Sequence, residues 1–258
     1  GTTGQPKGVV QTVHSFSYAV CWAFTELDDL TDKERFFSYL PLSHIAERML
    51  VAMGGLYAGG TISFAESLEL FAANLKDTKP TVFLAVPRIW TKFQMGILGK
   101  MPQSRLNILL KIPIINGIIK KKIKEGLGLD QAKYLLTGAA PLPVATMLWF
   151  EKIDFLIYEA YAMTENCAYS HLNRKNNRKP GYAGTAMPNC EVRISEEGEI
   201  LVKSEATMLG YYKEDEKTKE TITEDGFLRT GDQGEIDADG FLKITGRVKD
   251  IFKTDKGK

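Results

Sequence analysis

Short apolar runs alternate with segments of helical length through the first two thirds of the chain. Five runs have the length of buried strands: RFFSYLPLSH from Arg35, which breaks at Pro41, TISFA from Thr61, TVFLAVP from Thr81, KYLLT from Lys133 and DFLIYEAY from Asp154. Helical patterns cover residues 45–58, 66–79 and 146–152, and residues 8–22 read as a loop that runs into a helix. This alternation predicts an α/β protein with a layered α/β/α sheet region.

The pattern changes after Pro180. The stretch GYAGTAMPNCEVRISEEGEILVKS holds short alternating strands, and Asp-Gly or Glu-Gly pairs at residues 197–198, 225–226 and 239–240 are typical of tight turns. We therefore predict a smaller antiparallel β subdomain, a distorted barrel, over residues 181–245. It follows an α/β core over residues 1–180 and precedes a last segment over residues 246–258.

Composition narrows the class of protein. Of 258 residues, 44% are hydrophobic and 25% are charged, which is enough for a packed core of one large or two small domains. The net charge of +1 gives no field that favours nucleic acid. The three cysteines, Cys21, Cys167 and Cys190, are widely spaced, which is typical of buried thiols in a reducing compartment and makes a zinc site improbable. With neither a signal-peptide pattern nor a membrane-spanning run, we expect a cytoplasmic protein.

Residues 96–128 combine lysines with isoleucines and leucines. A basic amphipathic helix of this kind can lie on a membrane surface, so we expect possible peripheral membrane contact. A surface helix with a solvated lysine face is the simpler interpretation, and the pattern alone does not separate the two.

Two glycine-containing segments have the composition of nucleotide-binding loops. GTTGQPKG opens the chain, and its glycines, the hydroxyls of Thr2 and Thr3 and the charge of Lys7 suit an anion, although the spacing is not that of a Walker A loop. TGAAP, with Gly138, follows a predicted strand, where small residues allow a flat ligand close to the backbone. Each segment alone is equally compatible with an ordinary loop.

Three further segments carry polar chemistry. YAMTE places an aromatic ring, a hydroxyl and a carboxylate within five residues, and the carboxylate of Glu165 is a hard oxygen ligand of the kind that Mg²⁺ prefers. RTGD and GRVKD lie between predicted strands, where Asp232 can accept from vicinal hydroxyls and Arg247 can donate. The simpler interpretation is a helix cap, a turn aspartate and a surface arginine.

The order of these segments carries a resemblance. GTTGQPKG, PLSH, TGAAPLP, YAMTE, TGD and GRVKD follow one another as in the adenylate-forming superfamily of acyl-CoA synthetases, adenylation domains and luciferases. The forms PLSHIAERM, YEAYAMTE and GRVKDIFKTDKGK resemble the long-chain fatty acyl-CoA synthetase branch most. The resemblance covers nearly the whole chain and implies an acyl-CoA synthetase-like fold.

The resemblance implies a two-step reaction and a set of roles. A fatty acid carboxylate attacks the α-phosphate of Mg²⁺-bound ATP, and coenzyme A then takes the acyl group and releases AMP. The implied roles are pyrophosphate contacts for Thr2, Thr3 and Lys7; adenine contacts for Gly138, Ala139, Ala140 and Tyr161; phosphate contact for Thr164; Mg²⁺ binding for Glu165; ribose contacts for Asp232 and Arg247; a place near the reacting carboxylate for His44; and a hinge at Asp250. Trp90, in VPRIW, is a candidate wall of the fatty-acid tunnel, with a core position as the alternative.

Two departures from the family pattern stand out. Ala162 replaces a glycine that the family usually has, which adds one methyl group to the loop. The resemblance also implies that this chain is a central fragment, because the family's catalytic lysine lies in a C-terminal domain beyond the hinge. We therefore expect negligible synthetase activity from these 258 residues alone.

Other functions stay open at this point. One is an adenylating enzyme for another carboxylic acid or for a carrier protein. Another is a non-catalytic nucleotide-binding or membrane-docking module on the same fold. Members of the family often self-associate, so a homodimer is also possible, but the sequence does not decide it.

Overall fold

The computed structural model describes residues 7–27 and 29–249. Thr2, Thr3 and Asp250, for which the sequence predicts nucleotide contacts and a hinge, lie outside the described residues. The described part contains two larger sheets and one two-stranded pairing.

The larger sheet has seven strands, and its centre is parallel. Its strands are β2 (Arg35–Ser38), β3 (Thr61–Phe64), β4 (Val82–Ala85), β5 (Tyr134–Thr137), β6 (Ile157–Tyr161), β7 (His171–Leu172) and β8 (Thr185–Ala186), in the order β3-β2-β4-β5-β6-β7-β8. The pairs from β3 to β6 are parallel, and β7 and β8 add antiparallel strands at one edge. The five predicted strands are therefore confirmed, with ends a few residues shorter.

The helices connect these strands. They are α1 (Val13–Thr25), a π-helix (Glu47–Met53) continued by α2 (Gly54–Ala58), α3 (Phe71–Thr78), α4 (Pro87–Lys100), α5 (Gln103–Lys111), α6 (Ile115–Leu127) and α7 (Val144–Glu151). The predicted helices at residues 13–22, 45–58, 66–79 and 146–152 are confirmed in type. The α1 helix begins after Thr12, whose hydroxyl accepts from the Ser15 N–H as an N-cap.

The sheet is buried on both faces. Neighbouring residues of one strand point to opposite sides, so Phe36 belongs to one hydrophobic cluster and Phe37 to the other. Val82 and Phe83 divide in the same way. Helix α1 and the π-helix contribute to the first cluster, and α4 and α7 to the second. The layered α/β/α prediction is thus confirmed.

The second sheet is antiparallel and open. It contains β9 (Glu191–Ile194), β10 (Glu199–Lys203), β12 (Leu228–Ile236) and β13 (Leu242–Arg247), in the order β13-β12-β10-β9. The predicted turns are present, since Gly198, Gly226 and Gly240 have φ of +80°, +86° and +82°. The predicted barrel is wrong for the described residues: β9 and β13 lie at opposite edges and do not pair, so the sheet does not close.

A third pairing joins distant parts of the chain. Strand β1 (Val9–Val10) pairs antiparallel with β11 (Gly210–Tyr211), which precedes α8 (Asp215–Thr221). The sequence analysis assigned a loop at residues 8–12 and did not predict this pairing. It carries the beginning of the described chain to the end of β6, where the candidate site lies.

Backbone hydrogen bonds also join the two larger sheets. Ala183 N–H donates to the Leu242 carbonyl, and Leu242 N–H donates to the Gly184 carbonyl, at 2.8 and 2.9 Å. Gly184 has φ of +93°, and a Cβ there would lie within 2.4 Å of the Leu172 and Asn173 backbone, so only glycine fits. Strand β8 lies past the predicted boundary after residue 180, and the division into domains at that point stays a prediction.

The basic segment over residues 96–128 is not one helix. It contains the end of α4, all of α5 and α6, and breaks near Pro102 and Pro113. No helix in residues 7–27 and 29–249 is long and apolar enough to cross a membrane.

Candidate active site

The predicted site segments follow the carboxyl ends of neighbouring parallel strands. Gly138 comes directly after β5, Tyr161 ends β6, and His44 follows β2. Because β5 and β6 are adjacent and parallel, the loop after β5 lies beside Tyr161. This edge is where ligands bind in open α/β sheets.

The loop after β5 keeps its backbone accessible. A Cβ on Gly138 would approach the Ala160 carbonyl oxygen to 3.2 Å, and Ala139 adopts a left-handed conformation with φ of +66°. Ala139 and Ala140 are exposed. A planar ligand can therefore approach this loop without meeting long side chains.

Glu159 supports that loop from inside the sheet. Its carboxylate accepts a hydrogen bond from the backbone N–H of Leu142, although the side chain is buried. Burial raises the pKa of Glu159 to about 7, because desolvation disfavours the charged form. The sequence analysis did not single out this residue, since a glutamate inside a strand pattern carries no local signal of its burial.

Asp232 joins a tyrosine and an arginine. The Tyr161 hydroxyl donates to its Oδ2 at 2.8 Å, and Arg247 Nε lies 2.9 Å from its Oδ1. Asp232 and Arg247 are direct partners across β12 and β13, which explains why TGD and GRVKD come together. Burial and the neighbouring Asp232 charge raise the pKa of the Tyr161 hydroxyl, so it stays a donor.

A second group surrounds Glu165. The Tyr211 hydroxyl donates to Glu165 Oε1 at 2.7 Å, and Lys7 Nζ lies 4.6 Å from the centroid of the Tyr211 ring. Gln11 Nε2 donates to the Thr164 carbonyl at 2.8 Å. The β1–β11 pairing thus brings Lys7 next to the segment that carries Thr164 and Glu165.

Tyr211 and Gln11 are the site residues that sequence reasoning missed. Tyr211 ends a two-residue strand, and Gln11 lies in the loop before α1, so neither stands in a recognisable motif. Burial is the main cause that raises the pKa of Tyr211, and its hydrogen bond to Glu165 adds to it. Only the pairing of β1 with β11 identifies these residues as neighbours of Glu165.

Two predicted residues lie apart from these groups. His44 is half-buried, its Nδ1 accepts from the Ala46 N–H at 3.3 Å, and no hydrogen bond links it to another predicted site residue within the described ranges. Trp90 is fully buried, and its indole N–H donates to the Ala85 carbonyl at 3.1 Å. Its placement suits the core interpretation, and its role in a tunnel stays a prediction.

The site offers one carboxylate for a metal ion. No group of three or more His, Cys, Asp or Glu side chains that could hold a metal occurs in the described part of the chain. Glu165 has one oxygen bonded to Tyr211 and is half-buried, so its other oxygen is available as a ligand. One carboxylate is enough where substrate phosphates and water supply the remaining ligands, as is usual for Mg²⁺.

A nucleotide-sized surface is therefore bordered by small residues at the β5 loop, by the Tyr161–Asp232–Arg247 group and by the Lys7–Tyr211–Glu165 group. The family model for AMP-binding enzymes matches residues 1–212, and the chain belongs to that family.

Curated relatives agree in kind. A putative fatty-acid–CoA ligase, fadD11, from Mycobacterium tuberculosis is 32% identical and aligns with all of this chain and 50% of its own length. The long-chain-fatty-acid–CoA ligase ACSBG2 of Xenopus laevis is also 32% identical and aligns with all of this chain and 40% of its own. The chain thus spans about half or less of these relatives.

Solved structures share the fold. The N-terminal domain of FACL13 from Mycobacterium tuberculosis is 26% identical, with a TM-score of 0.72 over 94% of this chain and 58% of that one. ATP-bound MatB from Rhodopseudomonas palustris is 26% identical, with a TM-score of 0.78 over 97% of this chain and 47% of that one. The acyl-CoA synthetase-like fold predicted from the sequence is confirmed.

Proposed function

We propose that this chain carries the nucleotide- and acid-activating part of a long-chain fatty acid–CoA ligase. The observation that carries the proposal is the meeting of two groups at the end of β6: Asp232 with Tyr161 and Arg247, and Glu165 with Lys7. One group suits a ribose and the other suits phosphates. The names of the relatives support a fatty acid as the substrate and coenzyme A as the acceptor.

The first step joins the fatty acid to AMP. A carboxylate oxygen attacks the α-phosphorus of ATP, the bond to the β-phosphate oxygen breaks, and pyrophosphate leaves. In the second step the sulfur of coenzyme A attacks the acyl carbon, and AMP leaves as the thioester forms. Both steps need fixed geometry and neutralised phosphate charge more than they need a covalent contribution from the protein.

The residues would divide the nucleotide among them. Gly138, Ala139 and Ala140 would line the adenine, and Tyr161 would stack on it. Asp232 and Arg247 would hold the ribose hydroxyls. Each carboxylate oxygen has two acceptor sites, so Asp232 can keep Tyr161 and Arg247 while it accepts from the ribose.

At the phosphate end, Lys7 would supply a positive charge, and Thr2 and Thr3 would donate hydroxyl hydrogen bonds. The Thr164 hydroxyl has no hydrogen-bond partner among residues 7–27 and 29–249 and is therefore a free donor for phosphate oxygens. Glu165 would hold Mg²⁺, which when bound offsets negative charge on the phosphates. His44 would lie near the reacting carboxylate, and Asp250 would be the hinge to a further domain.

Homodimerisation, peripheral membrane contact and a cytoplasmic location stay predictions. Neither self-association nor a membrane is needed for the two chemical steps. An adenylating enzyme for another acid, or for a carrier protein, would use the same nucleotide site, so the acid is the point that the experiment must decide.

Fatty-acid-dependent exchange between ATP and labelled pyrophosphate tests the proposal, on the complete product of the gene that encodes this chain. Acids from acetate to palmitate are compared with aryl and amino acids, and Glu165→Ala is the control variant. We expect exchange with the long acids and a loss of at least about 100-fold in Glu165→Ala. Exchange only with short, aryl or amino acids would reject the long-chain substrate. No exchange with any acid would favour a non-catalytic nucleotide-binding module.

A further inference from the structure

The connection between α5 and α6 presents apolar side chains to solvent. All five residues from Lys111 to Ile115 are exposed, and the side chain of Ile114 is 84% exposed. Ile108 on α5 and Ile118 on α6 are also exposed. Large aliphatic side chains are normally exposed singly, so several within one helical hairpin need an explanation.

These isoleucines form one surface. Ile108 and Ile112 are four residues apart at the end of α5, and Ile114 and Ile118 are four apart at the start of α6, so each pair shares a helix face. Asn116 Nδ2 donates to the Leu110 carbonyl at 2.9 Å and fixes the two helices to each other at this end. We call the exposed residues Ile108, Ile112, Ile114, Ile115 and Ile118 the isoleucine patch.

The backbone at the tip of the patch is strained. Ile114 has φ of +69° and ψ of −53°, and the Ile115 N–H donates to the Pro113 carbonyl at 2.8 Å, which defines a γ-turn of the rare strained form. A β-branched residue is disfavoured at positive φ. The exposed Ile114 side chain gains no packing that offsets this strain, so the sequence keeps an isoleucine where glycine would be easier.

Positive charge surrounds the patch. Residues 103–127 contain six basic residues and one acidic residue, Glu125. Arg105, Lys111 and Lys122 are exposed and have no ion pair with the described residues. Lys121 lies one turn after Ile118 and reaches Glu125 only at 3.9 Å. The cations are therefore available to an external anion.

We propose that the isoleucine patch and its flanking cations dock on the surface of an anionic lipid bilayer. The exposed isoleucines would enter the boundary between headgroups and acyl chains, and Arg105, Lys111, Lys121 and Lys122 would lie among the headgroups. Charge of one sign around an apolar tip matches a surface that is negative outside and apolar within. This contact goes beyond the ligase proposal, since it needs neither nucleotide nor acid.

Vesicle co-sedimentation without nucleotide or acid tests the contact. The complete gene product is mixed with phosphatidylcholine vesicles, with and without phosphatidylserine. We expect binding to the anionic vesicles and a decrease of about fivefold for Lys122→Gln, which follows from the usual attraction of one lysine to such a surface. Lys33→Gln, at an exposed lysine outside the segment, is the matched control and should bind like the unchanged protein.

Ile114→Gly separates docking from folding. Glycine adopts φ of +69° without strain, so the thermal midpoint should stay the same or rise, while vesicle binding falls. Leu68→Ser removes another side chain that is 82% exposed, and it should leave binding unchanged. A merely structural role for Ile114 predicts the opposite pattern, a lower midpoint with normal binding.

Several results would overturn the proposal. These are absence of binding to anionic vesicles, and binding that Ile114→Gly and Lys122→Gln leave unchanged. Sedimentation velocity adds a further one: a dimer that Ile114→Gly dissociates, without vesicle binding, would show that the patch contacts a second copy of this chain. Failure of vesicle binding leaves the pyrophosphate exchange test unaffected, so the two proposals are judged separately.

Discussion

The hydroxyl of Tyr161 donates a 2.8 Å hydrogen bond to Oδ2 of Asp232, so the last residue of a central strand in the seven-stranded sheet is tied to the antiparallel sheet. Tyr161→Phe keeps the ring and removes this donor. We expect the free energy of unfolding to fall by about 1 kcal/mol, the usual net value of one hydrogen bond, and AMP binding to weaken by a few-fold. Urea unfolding and calorimetric titration with AMP measure the two effects.

Tyr182→Phe is the control for this prediction. The Tyr182 hydroxyl makes no hydrogen bond in the part of the chain that the structure describes, so its loss should change neither quantity. Equal effects of the two substitutions would contradict the assigned role of the Tyr161–Asp232 pair.

Tyr211 orients the proposed Mg²⁺ ligand. Tyr211→Phe removes the 2.7 Å hydrogen bond to Glu165 Oε1 and leaves the carboxylate free to rotate. Because residues that hold a metal ligand usually change metal affinity by about 10–100-fold, we expect the Mg²⁺ concentration for half-maximal exchange to rise by about tenfold. Mg²⁺ titration of pyrophosphate exchange is the measurement, and an unchanged Mg²⁺ dependence would remove Tyr211 from the site.

Buried Glu159 makes stability depend on pH. Its pKa is about 7 in the folded protein and has an ordinary value of 4.5, so the folded chain holds more protons between these values. The free energy of unfolding therefore falls as pH rises from about 4.5 to about 7, by about 3 kcal/mol from this group. Glu159→Gln is neutral throughout, so its stability relative to the unchanged protein should increase from about pH 5 to about pH 8.

The difference between these two proteins is the quantity to measure, because every other titrating group cancels in it. Thermal or urea unfolding of both at several pH values gives that difference. A difference that stays constant over the range would mean that Glu159 is charged in the folded protein already at pH 5.

Trp90 separates a core role from a tunnel role. The side chain has no exposed surface and lies edge-on to Phe83 and Phe150, with ring centroids 5.8 and 5.4 Å away. Trp90→Ala should lower the free energy of unfolding by about 3–5 kcal/mol. Trp90→Phe should lower it less, and its preference for acid chain length should stay unchanged if Trp90 is a core residue. A shifted preference in the folded Trp90→Phe variant would instead support the tunnel prediction.

The sequence was informative where structure is local. Strands such as TVFLAVP and KYLLT are short apolar runs with clear boundaries, and the turn at Gly240 follows from the conformational freedom of glycine. The site segments after these strands were predicted for the same reason, since parallel strands end at one edge of the sheet.

What the sequence did not reveal depends on contacts between distant residues. Nothing local in Gln11 or Tyr211 indicates that β1 pairs with β11, and nothing in Glu159 indicates that its carboxyl is buried beneath the loop after β5. The barrel prediction was wrong because alternation specifies strands and their faces but does not specify whether the edge strands meet. The basic segment was taken as one amphipathic pattern, although Pro102 and Pro113 divide it.

The pairing of β1 with β11 has a consequence for the order in which the protein is made. Lys7 leaves the ribosome about 200 residues before Tyr211, on whose ring it rests. At about 5–20 residues per second, the two-residue strand β1 waits roughly 10–40 s for its partner. The phosphate end of the site is therefore completed late in synthesis, and nascent chains that stop before residue 211 cannot gain stability from a nucleotide bound between Lys7 and Glu165.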